Sequence, residues 1–277
     1  MELSVIIVSY NAFDFLVKCL NSLQEFLPDN AEIIVFDNAS VDPRIQDLPL
    51  KYPTIQFILN PENLGFAKGN NQAIKLSKGE KILILNPDTI VYQDFFPRLL
   101  SFASSLSDMG AIGVRMLDGN GDYLPESKRN IPTVGGSFAK LFSGYLNFGR
   151  GYYETDLKPT ENGKVEILSG ACMFLKKSVY EEMGGFDERY FMYGEDIDLS
   201  YSLLKKGYSN YYLGEIYITH FKGESTVKDH KYLANFYGAM KIFIEKYHKP
   251  KNLLLYYIML AGLKLKYAMA RFKIERN

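Results

Sequence analysis

The chain has 277 residues, 47% of them hydrophobic and 23% charged, which suits one large α/β domain or two small ones around a substantial core. Lysine plus arginine equal aspartate plus glutamate at 32 each, so no global field favours nucleic acid or an acidic partner. Cys19 and Cys172 are the only cysteines, too few and too far apart for a disulfide framework or a metal-ligand spacing, and they read as buried thiols.

The start, Met1 to Val8, has no basic n-region and enters a strand almost at once, which argues against a signal peptide and for a cytoplasmic location. Ser4–Ser9 is a continuous apolar run, suited to a parallel sheet covered on both faces. Leu16, Cys19, Leu20, Leu23 and Leu27 then recur at helical spacing. Glu32–Phe36 and Ile55–Leu59 read as strands, Lys68–Leu76 as a helix ended by Gly79, Lys81–Leu85 as a fourth strand and Phe95–Leu106 as a helix. This alternation predicts a doubly wound α/β sheet with right-handed crossovers.

Regularity fails between Asp118 and Lys164, a stretch rich in glycine, proline and tyrosine with a short helical pattern near 138–142. Such an insertion in a compact domain is expected to carry function. Order returns with Val165–Leu168 and Ala171–Leu175. Ser178 with Glu181 reads as a capping box for a short helix stopped by Gly184 and Gly185. Glu195–Lys206 ends at Gly207, and Lys231–Tyr247 is a last amphipathic helix before Pro250. The chain divides most simply into a domain over 1–248 and a basic amphipathic helix over 249–277. Its apolar stretch, Leu253–Leu263, is about half of what spans a bilayer. Lys264, Lys266, Arg271, Lys273 and Arg276 follow, with Tyr256, Tyr257 and Tyr267 among them. Such a helix suits an anionic membrane surface; it also suits packing on the body or on a second subunit as a homodimer.

Ligands of open α/β sheets bind beyond the carboxyl ends of the strands, so the residues closing the strands carry the chemistry. These are Ser9-Tyr10-Asn11, Asp37-Asn38-Ala39-Ser40, Asn60 to Asn63 with Gly65, and Asn86-Pro87-Asp88: a polar crevice suited to a nucleotide. No Gly-x-Gly-x-x-Gly or Walker A loop is present, which sets aside dehydrogenases and P-loop proteins. Asp37 can accept a hydrogen bond from the N3–H of a uracil or thymine base, or can close a turn. Asn63 to Asn71 runs from a strand end into a helix. Gly65 and Gly69 permit close backbone approach there, and the helix N-terminus offers N–H groups to phosphate or ribose. Asp88 stands where a divalent ion bridging a diphosphate could be held, though Asn-Pro-Asp is also turn chemistry. Glu195, Asp196 and Asp198 open a helix. The macrodipole accounts for one or two of these acids and leaves a general base among them. Glu195 and Asp198 share a face and Asp196 points elsewhere. His220 ends the run Ile216–Thr219 and is either structural or a partner for Asp88 at a metal.

Together these segments resemble the family-2 glycosyltransferases, inverting enzymes with the GT-A fold, and among them the rhamnosyltransferase-like branch. The likeness covers residues 4 to about 247. It rests on Ser4 to Asn11, Asp37 to Ser40, Asn63 to Asn71, Asn86-Pro87-Asp88, Gly184 to Glu188 and Gly194 to Leu199. It implies a Rossmann-like mixed sheet flanked by helices, with Tyr10, Asn11 and Asp37 holding the nucleoside. Asn63, Gly65, Gly69, Asn70, Asn86 and Glu195 fall into the same substrate-binding set. Asn86-Pro87-Asp88 matches the Asp-x-Asp motif, with asparagine at its first position as in that branch. Asp88 inherits the role of metal ligand, His220 completes the Mg²⁺ or Mn²⁺ site, and Asp196 is the catalytic base. The implied donor is a dTDP- or UDP-sugar, with dTDP-rhamnose a candidate. The implied acceptor is a saccharide or lipid-linked saccharide of a surface polysaccharide, with residues 118–164 facing the acceptor or closing over the donor. A nucleotidyltransferase and a non-catalytic nucleotide-sugar-binding subunit are the alternatives. A membrane-surface association would place the chain peripherally on the inner face of the cell membrane.

Overall fold

The computed structural model describes residues 1–131, 152–221 and 229–275. The helical pattern near 138–142 and the basic residue Arg276 lie outside them. In the first half, β1 (Leu3–Ser9), β2 (Ala31–Asn38), β3 (Gln56–Asn60) and β4 (Lys81–Leu85) form a parallel sheet in the order β3-β2-β1-β4. The connecting helices are α1 (Phe13–Phe26), the single turn α2 (Leu48–Lys51) and α3 (Phe66–Leu76). The unbroken apolar run of β1 is explained by its two cores. Val5 and Ile7 pack with Leu16, Cys19, Leu20 and Leu23 of α1 on one face. Ile6 and Val8 pack with Ala67, Ala73 and Ile74 of α3 on the other. A strand covered on both sides has no polar position to alternate with.

The second half is mixed rather than doubly wound. The strands β5 (Thr89–Ile90), β6 (Met109–Leu117), β8 (Gly163–Val165), β10 (Cys172–Lys176) and β11 (Ser209–His220) extend the sheet beyond β4 in the order β10-β6-β11-β5, with β8 also on β11. Strand β10 is antiparallel to β4 and β6, β11 is parallel to β6, and β5 and β8 are antiparallel to β11. A separate ribbon pairs β7 (Lys128–Arg129) with β9 (Ile167–Leu168). The remaining helices are α4 (Phe95–Ser104), α5 (Lys177–Glu182), α6 (Glu195–Lys206), α7 (His230–Tyr247) and α8 (Leu253–Glu275). Cys19 and Cys172 are both buried, and burial pushes the Cys19 thiol up to about 12.

Three sequence expectations need correction. Strand β6 escaped the pattern because Gly110 and Gly113 interrupt its apolar run. At Gly113 a Cβ would come within 2.7 Å of Leu168 Cδ2, so the glycine makes room for the crossing ribbon. Helix α5 has no capping box, since its N-cap is Lys176, without a side-chain cap, and Ser178 lies inside the first turn. Its start is held from outside instead, where Lys177 donates its backbone N–H to Glu80 O at 2.9 Å and its Nζ to Ser77 O at 2.7 Å. Helix α3 begins at Phe66, two residues before the expected Lys68.

Candidate active site

The geometry around Asp88 follows from the shortest strand of the sheet. Thr89 in β5 pairs with His220 in β11, and Phe221 donates its backbone N–H to Asp88 O at 2.9 Å. This two-residue clip brings together side chains 132 positions apart in the chain. His220 Nε2 lies 3.3 Å from Asp88 Oδ1 and 3.4 Å from Asn86 Nδ2, and Asp88 and His220 are both buried. Asp88 Oδ1 and His220 Nδ1 are buried without hydrogen-bond partners among the described residues. A buried carboxylate oxygen that makes no hydrogen bond is costly unless a ligand engages it. The donor set of one carboxylate and one imidazole fits Mg²⁺ or Mn²⁺, and two protein groups leave most of the shell to diphosphate oxygens and water. No group of three or more His, Cys, Asp or Glu side chains able to hold a metal forms among the described residues.

Asp196 stands nearby, across the turn between β9 and β10. Asn86 donates its backbone N–H to Ala171 O at 2.9 Å, and the adjacent Gly170 donates its own to Asp196 Oδ2 at 3.0 Å. A Cβ at Gly170 would lie 3.2 Å from Asp196 Cβ, so a larger residue in this turn would press on the helix start. Asp196 Oδ2 also accepts from Arg129 Nη2 at 2.6 Å, and Oδ1 accepts from the backbone N–H of Ile197 at 2.7 Å. Arg129 reaches the site from β7 and donates to Leu168 O at 2.6 Å and to the Tyr152 hydroxyl at 3.2 Å. Burial disfavours its charge, but the Asp196 carboxylate and the Tyr152 hydroxyl outweigh that and hold its pKa above the ordinary value. No signal in the sequence marked Arg129, which lies in a stretch without periodicity.

The acidic cluster separates once folded. Asp198 is buried, accepts from Lys246 Nζ at 2.7 Å and lies 3.3 Å from the Tyr190 hydroxyl; Asp187 accepts from the same Lys246 at 3.0 Å. These two carboxylates bolt α7 to α6 and to the segment before it. Glu195 is buried too, with Oε2 lacking a partner among the described residues. Burial first, and the neighbouring Asp196 second, push its carboxyl up to about 8. Among Glu195, Asp196 and Asp198, it is Asp196 that meets the β9–β10 turn beside Asn86.

At the ends of β1 and β2 the candidates hold one another. Asp37 closes β2 and accepts from Ser40 twice, Oδ2 from the backbone N–H at 2.9 Å and Oδ1 from the hydroxyl at 2.6 Å. Asn11 (φ +52°) donates its backbone N–H to Ser40 Oγ at 2.8 Å and accepts from Val41 N–H through Oδ1 at 2.9 Å. Tyr10 between them is 44% exposed. The loops after β1 and β2 are thus one latched unit on the rim.

The segment Asn63 to Asn71 differs most from expectation. At Gly65 (φ +82°) a Cβ would meet Phe191 O at 2.3 Å, so the close approach is by the protein's own backbone. Phe191 O also accepts the Phe66 N–H at 2.8 Å, which removes that group of the helix N-terminus from ligand binding. Asn63 Oδ1 accepts from Gly65 N–H at 2.9 Å, and Asn38 spans the turn by accepting from Leu64 N–H and donating to Gly65 O. Gly69 packs on Val8 and Asn38, and the fully buried Asn70 donates to Phe66 O at 2.9 Å. Asn71 donates to Phe186 O and Glu188 Oε1, and accepts from Phe186 N–H and the Tyr180 hydroxyl. Two motifs that look independent in the sequence are the two jaws of one clamp.

A mixed, curled sheet with helices on both faces and a carboxylate–histidine pair at its rim is the GT-A architecture. The sequence pattern of glycosyl transferase family 2 matches residues 4–184. Over 262 residues the chain is 31% identical to N-acetylglucosaminyl-diphospho-decaprenol L-rhamnosyltransferase of Mycobacterium tuberculosis, covering 89% of this chain and 85% of that protein. Over 224 residues it is 26% identical to rhamnosyltransferase WbbL of Escherichia coli, covering 78% and 82%. Mannosyltransferase PcManGT from Pyrobaculum calidifontis, solved with GDP-Man and Mn²⁺, shares the fold with a TM-score of 0.60 at 18% identity, covering 97% of this chain and 73% of that chain. The chain belongs to glycosyl transferase family 2, as a rhamnosyltransferase-like glycosyltransferase.

Proposed function

We propose that this protein is an inverting, metal-dependent hexosyltransferase. It moves a sugar from a dTDP- or UDP-sugar, with dTDP-rhamnose the first candidate, onto a hydroxyl of a lipid-diphosphate-linked saccharide in surface polysaccharide synthesis. The observation that carries this reading is that His220 meets both Asp88 and Asn86, while Asn86 bonds the β9–β10 turn that also holds Asp196. The lipid-linked acceptor is supported by the name of the mycobacterial relative, whose substrate is an N-acetylglucosaminyl-diphospho-decaprenol.

In the reaction, Asp196 accepts the acceptor's hydroxyl proton as the oxygen attacks the anomeric carbon. The bond from that carbon to the diphosphate oxygen breaks in the same displacement, so configuration inverts. Asp196 is held for this by Arg129 and Gly170 on Oδ2, with Oδ1 carrying the single Ile197 N–H bond. Asp88 and His220 would hold the Mg²⁺ or Mn²⁺ ion, which supplies charge stabilisation to the departing diphosphate. Tyr10 and the Asn11–Asp37–Ser40 latch form the surface for the base and ribose. The stretch 118–164, whose described part contributes Arg129 and Tyr152, is assigned to contact with the acceptor or to closure over the donor, with 132–151 outside the described residues. The catalytic unit is residues 1–248, with 249–277 appended to it.

A panel of dTDP-, UDP- and GDP-sugars, each incubated with the protein, Mn²⁺ and a lipid-diphosphate saccharide, tests the reading. Release of nucleoside diphosphate with an inverted anomer is expected from one dTDP- or UDP-sugar. Release of pyrophosphate instead would make the protein a nucleotidyltransferase. Donor binding without any release would make it a binding subunit.

A further inference from the structure

We infer that α8 is a membrane-surface anchor that lies along an anionic bilayer with one apolar face in the headgroup region while its opposite face stays on α7. This does not rest on the catalytic reading. The helix carries two apolar faces, and each has a different neighbour. Tyr256, Met259 and Leu263 are buried against α7, where Ile244, Tyr237 and Met240 receive them. On the other side Leu254, Ile258, Leu265 and Met269 are 73%, 50%, 55% and 58% exposed. At 100° per residue these four side chains fall within about 60° of one another, a stripe over most of the helix. Apolar surface of that extent and order needs an occupant.

Charge identifies it. Lys264 and Arg271 border the stripe on one side, and Lys266 and Lys273 on the other, each roughly 75–125° from its centre. The sole acid of the helix is its last residue, Glu275, 3.4 Å from Arg271. Cations flanking an apolar stripe on both sides reach lipid phosphates while their stems cover acyl chains. A second copy docked stripe to stripe would bring the basic borders of both helices together, so the same charges that favour anionic lipid oppose a dimer. Spanning is also disfavoured, although by length and a hydropathy of 1.4 α8 is the one helix among the described residues able to cross a bilayer. Its charge-free run, Leu253–Leu263, is only about 16 Å long against a hydrocarbon core of about 30 Å. Its other face is already taken by α7.

The test uses the full chain with vesicles of phosphatidylcholine alone and of phosphatidylcholine mixed with phosphatidylglycerol. Wild-type protein should co-sediment with the anionic vesicles about tenfold or more tightly than with neutral ones, and added salt should release it. The triple variant Ile258→Ser, Leu265→Ser, Met269→Ser changes only exposed positions. It should keep its helical circular dichroism and its nucleotide-sugar chemistry in solution while losing anionic-vesicle binding by about tenfold or more. The pair Lys264→Glu and Lys266→Glu should abolish the preference for anionic lipid. Wild-type protein that stays in the supernatant, or a triple variant that binds like wild type, overturns the inference. So does a dimer in light scattering that the same substitutions dissociate, or protein that resists extraction at high pH as a spanning helix does.

Discussion

The two ends of the sheet's rim treat their polar groups in opposite ways. On the side of β1 to β3, Asn11 and Asp37 both bond Ser40, while Asn38, Asn63 and Phe191 bond the backbone of Leu64 to Phe66, and the loops they belong to are latched before any ligand arrives. On the side of β5, β9 and β11 the buried atoms without partners among the described residues belong to ionisable groups, Asp88 Oδ1, His220 Nδ1, Glu195 Oε2 and Arg129 Nε, whereas on the β1–β3 side they are the neutral Ser9 Oγ and Asn70 Oδ1. A latched rim recognises by shape at little reorganisation cost. A rim with unmet polar groups gains most when a charged ligand supplies what the fold leaves out. Among the described residues the three non-glycine residues with positive φ fit the same division, since Asn11 and Ala39 lie in the latched loops and Tyr193 sits just before the helix that carries Asp196.

The largest effect should come from the charged pair on the unlatched side. Arg129→Leu leaves the Asp196 carboxylate nearly buried without its cation and should cost about 3–5 kcal/mol in urea unfolding. Adding Asp196→Leu should recover most of that loss, and a single variant as stable as wild type would mean the pair contributes nothing to the fold. Next, Asp196→Asn should lower turnover by roughly two orders of magnitude, about 2.7 kcal/mol, while calorimetric donor affinity holds. Near-normal turnover would assign the base elsewhere. Asp88→Ala and His220→Ala should each weaken Mn²⁺-dependent donor binding by about tenfold or more, and unchanged affinity would remove them from the ion.

Glu195 separates the two sides by pH. Its carboxyl is raised from 4.5 to about 8, so the folded protein holds a proton that the unfolded chain has already released between those values. Folded-state stability should therefore be fullest below about pH 4.5 for this group and fall as pH rises towards 8. Glu195→Gln should flatten that part of the Tm–pH profile and gain more than about 1 kcal/mol at pH 8. An unaltered profile would show that the carboxyl is ionised in the fold. The smallest effect belongs to the latch: Ser40→Ala removes the hydroxyl bond to Asp37 and the bond that Ser40 Oγ accepts from Asn11 N–H, and should cost about 1 kcal/mol, with donor affinity reduced and turnover of bound donor kept.

Much of the parallel half is written locally. Ser4–Ser9, the spacing of Leu16 to Leu23, and the ends at Asp37 and Asp88 follow from runs that one strand or helix makes by itself, because apolar periodicity depends on neighbours a few residues away. The start of α6 and the setting apart of Asp196 from Glu195 and Asp198 were legible for the same reason. The partners were not. Arg129 reaches Asp196 across 67 positions, Asn38 reaches Gly65 across 27, and Phe191 O closes on Phe66 from the far side of the chain. In the sequence Gly65 reads as a place for a ligand, and in the fold it is a place for Phe191.

Residue pattern alone thus decides which segments are strand or helix and which carboxylates stand at their ends, since those are short-range properties of the chain. Which of these groups touch, which are already bonded and which stay unmet is decided only when β5 clips onto β11 and the β7–β9 ribbon crosses Gly113. Such pairings depend on strands being brought together over long loops, and no local window contains them.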